Sequence, residues 1–154
     1  MKETKRSISL RIDDTDFKKV KAIAYRLRTR ESEVFRFALK MALAKLSPLY
    51  DENIRGAGIM PVFVECGSDI ATHFRLDSAR MEHVINNGLK DEHIRVDMED
   101  ISLLAMSSMS EQYIGIKLKE LVNFPVEQVG VVESLRRYLN DKYIEKKRGA
   151  TTKK

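Results

Sequence analysis

The stretch Ser7-Ile8-Ser9-Leu10-Arg11-Ile12 alternates polar and apolar residues without exception, and Asp13-Asp14-Thr15-Asp16 follows it at once. Alternation of period two is the pattern of a half-buried strand, here with one aliphatic face (Ile8, Leu10, Ile12) and one hydrogen-bonding face (Ser7, Ser9, Arg11). A lone strand of this length exposes both edges and is unstable until it pairs. No second strand is legible nearby.

The acidic cluster supplies N-cap candidates and a negative charge where a helix start favours both. Phe17, Val20, Ile23, Ala24 and Leu27 then recur at intervals of three and four, which predicts a helix with one apolar stripe ending near Arg28. Thr29 is a good N-cap, and Glu31 and Glu33 place acid in the first turn of a second helix. In that helix Val34, Phe35, Phe37, Ala38, Leu39, Met41, Ala42, Leu43 and Leu46 are apolar over most of the circumference. So few residues cannot bury such a helix alone, whereas two copies about a twofold axis can. The expected dimer core is therefore Ile8, Leu10, Ile12, Val34, Phe35, Ala38, Met41 and Ala42.

The order strand, helix, helix over residues 5 to 46, with Thr29-Arg30-Glu31-Ser32-Glu33-Val34 opening the second helix, resembles the ribbon-helix-helix DNA-binding proteins of the Arc and MetJ type. The resemblance covers under a third of the chain. It implies a homodimer whose strands pair across the subunits and enter the major groove of double-stranded DNA, with Ser7, Ser9 and Arg11 reading bases and Thr29, Arg30 and Glu31 holding a phosphate. The chemistry agrees, since Arg donates two hydrogen bonds to guanine and helix N-termini bind phosphate. The match departs at two points. Leu27-Arg28-Thr29 carries no glycine, the usual residue of such a turn, and Glu31 brings negative charge close to the phosphate position, where Arg28 and Arg30 can offset it. The expected fold class is thus mainly α, a ribbon-helix-helix dimer with an intersubunit two-stranded antiparallel β-ribbon, plus a mostly helical second domain with a short strand.

Charge supports a nucleic-acid surface confined to the head. Residues 1–46 hold 13 Lys and Arg against 6 Asp and Glu, or +7; residues 47–140 hold 9 against 15, or −6; residues 141–154 hold 6 against 2, or +4. An acidic middle is repelled by phosphates and a basic head is drawn to them. Over the 154 residues, 43% hydrophobic and 33% charged composition fits a globular chain rather than a disordered one. No apolar run approaches a membrane span, the charged start leads directly into the alternating segment, and Cys66 is the single cysteine, so a cytoplasmic protein is expected.

Beyond the head, Ser47-Pro48 stops the second helix and residues 48–58, polar and glycine-bearing, read as a linker. Val62-Phe63-Val64 reads as a short strand. Helices are expected from Ser78 to Asn87, around Ile101, Leu104, Ala105 and Met109, around Tyr113 to Val122, and in one longer run after Pro125. The resulting division is a DNA-binding and dimerisation domain at 1–47, the linker, a mostly helical domain at 59–147, and a basic disordered tail at 148–154. Residues 59–147 resemble no known family and are assigned to further oligomerisation, a protein partner or a small effector.

Cys66, His73, His83 and His93 invite a metal reading, because some ribbon-helix-helix regulators sense nickel through three His and one Cys. Intervals of ten residues place no two His on one helical turn or adjacent strand positions, so no metal and no cofactor are expected. Gly56-Ala57-Gly58 lacks the third glycine and preceding strand of a phosphate cradle, and no nucleophile elbow or P-loop occurs, so no enzyme is expected. Asp97, Glu99 and Asp100 read as a solvated face or a helix start. The residues therefore point to a transcriptional repressor, with an autoregulating antitoxin as the alternative and a DNA-organising or plasmid-partition protein as the next.

Overall fold

The computed structural model describes residues 4–107 and 109–146, and the chain divides into two compact units between Lys45 and Leu46. The expected basic tail at 148–154 lies outside the described residues.

In the first unit, residues 4–13 carry no secondary structure, α1 spans Asp14–Leu27 and α2 spans Glu31–Lys45. Acids in the first turn of each helix and a base in the last complement the helix dipole. Between them the chain turns in a Schellman motif, with Arg28 N–H donating to the Tyr25 carbonyl at 3.2 Å and Thr29 N–H to the Ala24 carbonyl at 3.0 Å. Arg28 itself takes the left-handed conformation, φ 52° and ψ 44°. The glycine-free turn thus closes with an arginine in the position that glycine usually holds.

The expected β-ribbon is overturned, because the described residues contain no strand at all. A strand is defined by its ladder, and the alternating segment at Ser7–Ile12 meets no second extended segment with which to form one. The second expected strand is also overturned: Val62-Phe63-Val64 lies inside helix α4. Pro61 sits in its first turn, where its missing N–H costs nothing, and Met60, Phe63, Gly67, Ile70 and Ala71 repeat at helical spacing on the buried side.

The second unit is all helical among its described residues. It comprises α3 (Ser47–Tyr50), a 3-10 turn at Gly56–Gly58, α4 (Met60–Phe74), α5 (Ser78–Asn86), α6 (Met98–Met106), α7 (Glu111–Leu121), α8 (Val126–Val129) and α9 (Val131–Asn140), which runs into a π-helical turn at Asp141–Glu145. Helix α4 packs against α6 and α9, α5 against α6, and α7 against α9. Their shared core includes Met60, Phe63, Met81, Ile85, Ile101, Ile114, Leu118 and Leu139. At Gly67 an added Cβ would come within 3.0 Å of Leu104 Cδ2, so α4 and α6 meet where there is no side chain to separate them.

Two further expectations change here. The stretch at 48–58 does not behave as a free linker: Gly56 and Ala57 are buried, Ala57 N–H donates to the Ile94 carbonyl at 2.7 Å, and Arg55 Nη1 donates to the Asn87 carbonyl at 2.8 Å. Gly56 has φ +56°, and a Cβ there would lie 2.1 Å from the Ile94 oxygen, so only glycine fits. The single long helix after Pro125 is two, broken where Gly130 adopts φ 92° and ψ 149°.

Candidate nucleic-acid interface

Ser7, Ser9 and Arg11 lie exposed in the irregular amino-terminal segment, while Thr29, Arg30 and Glu31 lie exposed at the α1–α2 turn. The Arg30 carbonyl accepts from Glu33 N–H at 3.0 Å and Val34 N–H at 3.4 Å, so Arg30, rather than Thr29, opens the second helix. Of the expected dimer core, a single chain buries only Val34, with Phe35 half-buried; Ile8 and Leu10 are 75% and 73% exposed, and Ile12, Ala38, Met41 and Ala42 are exposed.

The basic residues of the head fall into two groups. On the helix flanks they are neutralised locally: Lys18 Nζ lies 2.7 Å from Asp14, Lys19 Nζ 2.8 Å from Asp16, and Arg36 pairs with Glu33. Lys21 caps the Phe17 ring at 4.8 Å. Across the turn, Arg26, Arg28 and Arg30 form no ion pair or side-chain hydrogen bond among the described residues. Arg11 is likewise without a partner there. Apart from Lys40 on α2, the charge that remains available to an anion therefore lies at the turn and in the amino-terminal segment, because Asp14, Asp16 and Glu33 each pair with a base three or four positions along their own helix.

The second unit holds a different arrangement, which the sequence does not reveal. Asp100, 1% exposed, accepts from Lys142 Nζ at 2.7 Å and from the Tyr143 hydroxyl; Lys142 also reaches Asp97 at 2.6 Å and the Tyr138 hydroxyl at 3.2 Å. The Tyr143 hydroxyl accepts from Asp97 N–H at 3.0 Å. Burial lowers the proton affinity of Lys142, but hydrogen bonds to Asp100, Asp97 and Tyr138 outweigh it and hold its pKa above the ordinary lysine range. Burial, reinforced by the hydrogen bond to Asp100, pushes the Tyr143 phenol above its ordinary value. The group is a satisfied clasp joining the start of α6 to the π-helical turn, and its geometry leaves no free acid or base for chemistry. Of the two expectations for these acids, the helix start holds, with Asp97 at the N-cap of α6 and Glu99 and Asp100 in its first turn, whereas the solvated face fails at Asp100, one of the most deeply buried side chains in the unit.

Cys66 marks a kink in α4, with φ −139° and ψ 24°, and borders a cavity of about 260 Å³ with Phe63, Ser68, Leu104, Leu135 and Arg136. Its thiol donates to the Val62 carbonyl at 3.2 Å. His73 and His83 lie on α4 and α5 and His93 in the following loop; among the described residues no group of three His, Cys, Asp or Glu could hold a metal ion. No described helix is long and apolar enough to cross a membrane. No family model, curated protein or solved structure matches this chain.

Proposed function

We propose that the chain is a DNA-binding transcriptional regulator that acts as a homodimer through its first unit. The observation that carries this reading is the combination, within residues 4–45, of partnerless arginines and apolar side chains that one chain leaves in water. Phe17, Ile23, Leu27, Phe37, Leu39, Met41 and Leu43 are all exposed, and only Ala24 and Val34 are buried. Exposed apolar area on this scale favours association, and a second copy offers the same faces in self-complementary form. Doubling the head doubles its charge of +7 at one assembly, which favours a polyanion.

The reading rests on charge and on the exposed faces of α1 and α2, with no strand invoked. Arg11, Ser7 and Ser9 are the candidates for base edges, and the turn at Thr29, Arg30 and Glu31 is the candidate for phosphate. The second unit, with its own core, suits effector sensing or higher assembly better than the disordered toxin-wrapping segment an antitoxin would carry. The test is a titration of the full chain onto duplex DNA at two salt concentrations, alongside light scattering. Dimers whose log affinity falls linearly with log salt are expected; a folded monomer at micromolar concentration, or no duplex binding at low salt, would overturn the proposal.

A further inference from the structure

We infer that Arg26, Arg28 and Arg30 form a clamp for the DNA phosphate backbone, and that Arg28 keeps a left-handed backbone position at the fold's expense because the duplex needs its guanidinium. The inference rests on the DNA-binding reading and assigns the salt-dependent part of that binding to residues outside the base-reading segment.

Left-handed conformation is unfavourable for any residue bearing a Cβ, and glycine relieves it at a helix C-terminus. Arg28 adopts it with φ 52° and ψ 44°, is exposed, and has no side-chain partner among the described residues that would offset the strain. Arg26 and Arg30 stand at the alternate positions on either side, also exposed and also without an ion pair. The three arginines outnumber the one acid beside them, Glu31, so the turn keeps a net positive charge that a bound anion would offset. A planar guanidinium binds phosphate oxygens with two parallel hydrogen bonds, so an arginine cluster suits a run of phosphodiesters better than a lysine cluster does.

The chain supplies its own control. Arg75 ends α4 in the same conformation, φ 52° and ψ 47°, with Leu76 N–H donating to the Ala71 carbonyl at 2.9 Å. No second arginine lies within four residues of it, Asp77 is two residues away, and it belongs to the acidic segment. Both arginines bear the same backbone strain, but only Arg28 sits in a basic setting.

The experiment compares full-length wild type with Arg28→Gly, Arg28→Lys and Arg75→Gly. Each is titrated onto several unrelated duplexes over a salt series, onto phosphatidylserine vesicles, and melted thermally. Both glycine variants are expected to melt a few degrees higher. Only Arg28→Gly should weaken binding, by the same factor on every duplex, with a salt slope shallower by about 0.9 for each phosphate it ceases to neutralise; Arg28→Lys should keep the wild-type slope. Wild-type binding to duplex with Arg28→Gly unchanged overturns the clamp, as does a loss seen equally in Arg75→Gly or seen on vesicles alone. Wild type that binds no duplex overturns the DNA-binding reading itself.

Discussion

The two units of this chain solve the burial problem in opposite ways. Residues 46–146 enclose a core of some twenty side chains, from Ala57 to Tyr143, whereas residues 4–45 bury two, Ala24 and Val34. Both are helical and both draw on the same apolar alphabet, so composition does not distinguish them. The distinction is that the second unit's helices find one another within the chain, through α4, α6 and α9, while α1 and α2 can cover only one side of each other. A unit with its faces outward has a stability that depends on what it meets, and hence on concentration.

The sharpest way to break this comparison is to damage the self-sufficient unit. Gly56→Ala drives a Cβ to 2.1 Å from the Ile94 oxygen at a positive φ, so it should cost about 3 to 5 kcal/mol, overpacking and backbone strain together. Chemical denaturation should show the second unit's transition move and the head's remain; an unchanged midpoint would mean that the turn at Gly56–Gly58 is not held as described.

Asp100→Ala leaves the buried Tyr143 hydroxyl without its acceptor and takes from Lys142 one of the two carboxylates that hold it, which should cost about 3 kcal/mol. The pH dependence follows from the same clasp. Lys142 and Tyr143 hold their protons more tightly in the folded chain than in the unfolded one, so their stabilisation is complete below about pH 10 and drains away as pH rises beyond it. Stability measured from about pH 7 to about pH 11 should therefore fall at the alkaline end in wild type, and Asp100→Ala should flatten that limb. A variant with the wild-type alkaline slope would show that other groups control it.

A smaller effect sharpens the other half of the comparison. Met41 is 46% exposed in one chain, and truncating such a side chain to alanine ordinarily changes stability by less than about 0.5 kcal/mol. If a second copy covers α2, Met41→Ala should instead cost about 2 kcal/mol, and the loss should diminish as protein concentration is raised. A small, concentration-independent change would remove the dimer from the head.

Sequence periodicity locates α5 to within a residue and finds α6 and α7 by their apolar spacing, although Met109, expected with α6, lies beyond its end at Met106. It fails where local chemistry admits two answers. Val62-Phe63-Val64 is a short run of strand-favouring residues, which periodicity alone cannot separate from a buried helix; Pro61 in the first turn is the clue that favours the helix. Gly130 lies between Val129 and the pair Val131-Val132 and reads as one more residue of a helix, although its positive φ is what divides α8 from α9. The alternation at Ser7–Ile12 is real as a pattern, yet alternation cannot supply a partner strand. At the candidate interface the exposed positions of Thr29, Arg30 and Glu31 are legible, but the left-handed Arg28 is not, since nothing in an arginine signals that conformation. The Asp100 clasp is illegible for a different reason: its partners lie 42 and 43 residues away, and no local rule reaches so far.

Asn86 offers a last consequence. Its buried side-chain amide donates to the Val96 carbonyl and accepts from the Val96 N–H, both at 2.9 Å, pairing with both backbone groups of one residue as a neighbouring strand would. The loop between α5 and α6 is thereby fastened at a single residue, Val96, to a residue in the last turn of a helix. In a deuterium-exchange experiment the Val96 amide should not keep time with its loop neighbours, which open by local breathing. It should exchange only when α5 itself unravels, so that one loop amide becomes the clock for a helix that ends ten residues upstream.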